Sequence, residues 1–163
     1  METWLSVVGD RLSVSSEAVT MTMEHIARSF KITLIVTHPS IDPAEISRAI
    51  GLTPVRTTRG GAPRTTPTGQ PLAGEYQFSC WKYEFDVQAA DELSHVLETL
   101  VDELQCNRPF FHRVVQQGGT VELFCGVFAD GNWDEVLSHA LMRALAALHV
   151  DVRLDVYPMD DSR

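Results

Sequence analysis

The stretch RTTRGGAPRTTPTGQPLAG, residues 56–74, sets Arg56, Arg59 and Arg64 among glycines, prolines and threonines with no acid between them. Arginine presents a planar fork of donors suited to carboxylate or phosphate. Gly and Pro at this density keep a backbone out of regular structure. Two readings follow. The loop is an anion clamp or a dock for an acidic partner, or its arginines neutralise the chain's own acids, with Glu75, Glu84 and Asp86 nearest to hand. Those acids are in surplus: 22 Asp and Glu stand against 13 Lys and Arg, a formal net charge of −9. A loop spanning 51–74 is long for a compact domain, which tilts the balance toward function. Trp81, just beyond it, is either a flat platform beside the arginines or a core residue.

A second place for chemistry is His38, at the end of the apolar run ITLIVTH (32–38) and four residues before Asp42. Strand-to-helix junctions collect functional groups. Asp42 already has a task as a helix cap, however, and a single strand-end histidine is more commonly a surface or hydrogen-bonded residue. The remaining histidines (His25, His95, His112, His139, His149) form no HxH, HxxxH or HExxH spacing, so the sequence points to no metal. It contains no GxSxG, no P-loop and no GxGxxG, and it implies no cofactor. An enzyme would have to use His38 with the loop arginines on an anionic substrate, and would show a second titratable group within hydrogen-bond reach of the imidazole.

Other classes are excluded by composition. A net charge of −9 opposes both nucleic acid and anionic membranes as partners. No apolar run approaches the ~20 residues of a membrane span, and the N-terminus has no basic region ahead of an apolar one, so it reads as no secretory signal. Cys80, Cys106 and Cys125 are odd in number and without CxxC spacing, which implies no disulfide framework and a reducing cytoplasm; Cys80 and Cys125, in strand-like runs, read as buried small hydrophobes.

The elements that position these residues are legible from periodicity and punctuation. Residues 1–28 read as an N-terminal extension, with Met21 and Met23 as alternative starts, followed by one domain over 29–158 and an acidic tail over 159–163. A first strand covers 32–38. Asp42 as N-cap, Pro43 at the first helical position and Glu45 two residues on predict a capped helix over 43–50 that stops at Gly51. EYQFSCWKYEFDV (75–87) predicts the second strand. Its apolar parity switches after Cys80, which predicts a β-bulge at Cys80–Trp81. Leu93, Leu97, Leu100 and Leu104 stripe a helix over 89–105, which Pro109 and then Gly118–Gly119 bring to an end. A third strand over 120–128 turns Val121, Leu123, Cys125 and Val127 to one face. Asn132 is expected to cap a helix over 133–148, and a last strand alternates over 150–157.

The order β-α-β, helical insert, β-α-β predicts an α+β domain of ferredoxin-like topology. That is a split βαβ plait with a four-stranded antiparallel sheet backed by helices, the inserted helix lying between the halves. On its open face Phe124 and Phe128 join Ile35. RNA-recognition folds stack bases on such aromatics, but the basic and glycine positions of that signature are missing, so protein contact is the better explanation. Homodimerisation across this face is the expectation.

The run HPSIDPAEISRAIGLTPVRTTRGGAPRTTPTGQPLAGEYQFSCW resembles the signature of a bacterial family catalogued only as a domain of unknown function. Asp42, Pro43, Ile46, Gly51, Leu52, Pro54, Arg56, Gly60 and Trp81 match its pattern, and Ile50 stands where Leu is commoner. The resemblance spans about residues 30–157. It implies a bacterial, cytoplasmic protein, conveys no activity, and makes the Arg/Gly loop and Trp81 part of a shared pattern. Taken together, the sequence reads as a binding or interaction module that recognises an anionic ligand or acidic partner through residues 56–64.

Overall fold

The computed structural model describes residues 28–87, 92–129 and 132–158. The expectations for the N-terminal extension, its alternative starts and the acidic tail concern residues outside these, save Arg28, which opens the first strand.

Strand β1 (Arg28–His38) is followed by α1 (Pro43–Ile50), β2 (Arg56–Thr58), β3 (Pro63–Thr65), β4 (Pro71–Glu75) and β5 (Ser79–Phe85). Then come α2 (Leu93–Leu104), a 3-10 turn (Gln105–Asn107), α3 (Arg108–Gln116), β6 (Thr120–Ala129), α4 (His139–Leu148) and β7 (Asp151–Pro158). Five strands form one mixed sheet in the order β2-β5-β1-β6-β7, and β3 and β4 form a separate hairpin. β1 is antiparallel to both β5 and β6, whereas β6 and β7 are parallel.

This sheet overturns the ferredoxin-like plait, although the α+β class stands. The reason lies in α1. Its eight residues rise only about 12 Å, against roughly 36 Å for the eleven residues of β1. So short a helix cannot return the chain along the sheet. β5 therefore starts where β1 ends, with Ser79 opposite His38, and runs back beside it. The crossover is made instead by the segment expected as an insert. α2, the 3-10 turn and α3 carry the chain from the end of β5 to Thr120, which lies opposite Thr37. β5 and β6 thus run the same way with β1 between them.

Four local expectations also change. The register of β5 against β1 is continuous from Ser79 to Phe85, so there is no bulge at Cys80–Trp81. Tyr76 and Phe78 lie before the strand begins, and the parity switch marks that break. The 51–74 segment is not free of regular structure, since it holds β2, β3 and most of β4. The last helix begins at His139 with Ser138 as its cap, the Ser138 hydroxyl accepting from the Leu141 N–H at 3.1 Å. Asn132 is therefore not its cap, and Glu135, ahead of the helix, accepts the Ser94 N–H in the first turn of α2. Pro109 does not simply break a helix. It stands in the first turn of α3, where its missing N–H is no loss.

One face of the sheet is packed. Phe30, Ile32, Leu34 and Val36 of β1, Trp81 of β5 and the expected stripe Val121, Leu123, Cys125 and Val127 of β6 are buried beneath the helices. The helices present Ile46, the full stripe Leu93, Leu97, Leu100 and Leu104, then Phe111, Val114, Leu141, Leu145 and Leu148. Ile35, Phe124 and Phe128 take no part in this core. They point to the opposite face, which none of the described helices packs against.

Candidate functional site

α1 is built as its sequence dictates. The Asp42 carboxylate accepts the Ala44 N–H at 2.9 Å, and the Asp42 carbonyl accepts the Glu45 N–H at 2.8 Å. Gly51 ends the helix at φ 81°, a conformation glycine adopts without penalty. Glu45 does not reach back to complete a capping box. It pairs with Arg113 of α3 at 3.0 Å. The first N–H groups of α1 are therefore already satisfied by Asp42, and the helix start offers no vacant anion cradle.

Between α1 and β2 lies an open cleft of about 400 Å³, lined by Asp42, Pro43, Ala44, Ser47, Pro54, Thr57, Thr58 and Arg59. Arg59 faces Asp42 across it at 3.4 Å. Both side chains are well exposed, so the pair contributes well under about 1 kcal/mol. Beneath the cleft the Trp81 indole N–H donates to the Ser47 hydroxyl at 2.9 Å, and the Trp81 ring is fully buried. The structure places Trp81 in the core, under the site and not on its surface.

The loop is pinned at Gly60. Its N–H donates to the buried Ser79 hydroxyl at 3.0 Å, and a Cβ there would stand 2.8 Å from the Pro39 carbonyl oxygen. Past this anchor the hairpin begins. Tyr76 exchanges hydrogen bonds with the Thr65 backbone, its hydroxyl accepting the N–H at 3.2 Å and donating to the carbonyl at 3.1 Å. The Thr65 hydrogen bonds lower the Tyr76 phenol from its ordinary value, and the positive charges of Arg56 and Arg64 act in the same direction. Arg56 and Arg64 thus both act electrostatically on one tyrosine.

Arg56 also has a like-charged neighbour that sequence reasoning missed. Across the β2–β5 ladder its register partner is Lys82. The ion pairs among the described residues join Arg59 to Asp42, Arg113 to Glu45 and Arg153 to Glu122. Arg56, Arg64 and Lys82 take part in none of them, nor do Glu75, Glu84 and Asp86. Two cations directly opposite on neighbouring strands repel. The fold tolerates that cost at its edge.

His38 is buried and turned to local service. Its Nδ1 accepts the backbone N–H groups of Ser40 at 3.1 Å and Ile41 at 2.9 Å, which places the ring proton on Nε2. Nε2 is buried without a hydrogen-bond partner among the described residues. Among the described residues the ring therefore hydrogen-bonds no second titratable group. Two of the thiols are poor nucleophiles: burial raises Cys80, and pushes Cys125 up to about 12 with help from Glu122. Among the described residues no group of three or more His, Cys, Asp or Glu is arranged to hold a metal ion, and no helix is long and apolar enough to cross a membrane.

The family model described as a domain of unknown function (DUF4279) matches residues 28–159, which spans the whole described domain. The chain belongs to that family. No curated protein and no solved structure matches it.

Proposed function

We propose that this member of the DUF4279 family is an interaction module that docks an acidic segment of a partner protein on the basic edge formed by Arg56, Arg64 and Lys82. The observation that carries the reading is that Arg56 and Lys82 are register partners and neither forms an ion pair among the described residues. In a chain with nine surplus negative charges, a self-neutralised edge would have been easy to build. An acidic partner supplies the missing counter-charge. An enzymatic use of His38 has less support, since the ring's hydrogen bonds go to backbone.

The test uses a fluorescein-labelled glutamate-rich peptide titrated at low salt, read by anisotropy. Changing Arg56 and Arg64 together to Glu is expected to weaken binding at least tenfold, whereas Arg143→Glu on α4 leaves it unchanged. The same double variant is expected to melt no lower than the parent, because the carboxylate introduced at position 56 would face Lys82 as an opposite charge. Equal binding by all three proteins, or none by the parent, overturns the proposal.

The open face favours a second, compatible reading, self-association. Phe128 stacks on Tyr157 with ring centres 5.2 Å apart, and Ile35 and Phe124 lie on the same face. Around them the register sets Lys31 and Arg153 among Glu84, Glu122, Asp151 and Asp155. A rim carrying both signs suits a second copy of the same face better than a uniformly charged ligand. Light scattering is expected to give a dimer mass that falls to monomer in Phe124→Glu. A monomeric parent at tens of micromolar defeats this reading.

A further inference from the structure

β2 is the outermost strand on its side of the sheet. One flank pairs with β5, and among the described residues no strand pairs with the other. Helix α1 lies alongside, so the cleft of about 400 Å³ runs between a helix and the edge of a sheet. From the geometry we infer that an extended acidic peptide binds by adding itself as a sixth strand against β2, its side chains alternating between the cleft and the open face. This rests on the proposed docking of an acidic segment and specifies how that segment enters.

Three features select this occupant. First, β2 residues alternate faces, as in any strand. Thr57 is the register partner of Trp81 on the helix-covered face, and Arg56 that of Lys82 on the open face. An added strand must alternate likewise, with acidic residues beside Arg56, Lys82 lying one strand further in on the same face, and small or branched apolar residues facing Thr57, Pro43 and Ala44. Second, the other exposed edge is unsuited to an acidic strand, since β7 carries Asp151 and Asp155. Third, the α1 N–H groups are capped by Asp42, so the affinity must come from main-chain bonds at the edge and from the cations beside it. Only three residues of β2 are available. So short an edge gives weak pairing alone, and the charges supply the remainder.

The probe is a labelled octapeptide alternating Glu and Val, with two further versions N-methylated on the even or on the odd residues. In an added strand, the amides of one set point at β2 and those of the other point to solvent. One N-methylated version is therefore expected to lose at least tenfold in affinity while the other binds like the parent peptide. If both bind like the parent, strand addition is overturned and charge docking survives. If both lose affinity equally, strand addition is also overturned. If the parent peptide itself fails to bind the wild-type protein, both readings fall together.

Discussion

Replacing Trp81 by Ala is expected to cost about 3–5 kcal/mol, the usual range for a fully buried aromatic, and to lower the melting temperature by roughly 10–20 °C in a domain of this size. Trp81 is the largest of the fully buried side chains and sits where α1 is fastened to the sheet. Its loss removes both the ring, packed near Tyr83 at 6.3 Å between centres, and the bond to Ser47. Ser47→Ala separates the two contributions. It leaves the ring in place and strips the indole N–H of its acceptor, at about 1–3 kcal/mol. Calorimetry on the three proteins decides the issue. A Trp81→Ala protein that melted within a few degrees of the wild type would mean that the ring is a surface platform, contrary to its burial. Because α1 and β2 together form the cleft, the same substitution is expected to weaken acidic-peptide binding through loss of structure. Binding tests of the site therefore belong to the surface arginines, whose removal leaves the core intact.

Gly119→Ala is the second large effect, expected at about 3 kcal/mol, the upper part of the range for forcing atoms into a filled site. An added Cβ would stand 2.5 Å from the Thr37 carbonyl oxygen, 2.8 Å from Val114 Cγ1 and 2.9 Å from His38 Cδ2. The nearest of these is backbone and cannot swing aside. Here α3 ends and β6 begins, and the close approach brings the turn against the end of β1. Neighbouring Gly118 supplies the contrast. It has φ +82° and nothing within 4 Å of an added Cβ, so Gly118→Ala costs only the left-handed strain of about 1–2 kcal/mol. Thermal unfolding is expected to rank the wild type above Gly118→Ala and that above Gly119→Ala. The reverse order would show that backbone conformation, not close approach, governs this turn.

His38 shares in this packing and shows why a site can be misread from sequence. A histidine at a strand end looks chemical because its surroundings are unknown. In the fold its Nδ1 holds the turn to α1, and its ring edge fills the space that Gly119 leaves. The arginines divide in the same way. Arg59 lies against Asp42, whereas Arg56 and Arg64 are exposed and form no ion pair among the described residues.

The features legible in the chain are those set within a few residues of themselves. Asp42, Pro43 and Gly51 define α1 because a cap and a left-handed stop are local bonds. The leucine stripe of α2 and the alternating face of β6 follow from periods of 3.6 and 2, and they locate the core without reference to anything distant. Tertiary structure alone decided which strands became neighbours. Nothing local to Arg56 says that Lys82 will stand opposite, and nothing local to Glu135 says that it will serve Ser94. Strand order turned on whether α1 was long enough to recross the sheet, and the basic edge on the register that followed. Both are contests between distant segments for the same hydrogen bonds and the same buried surface, and only the whole fold settles them.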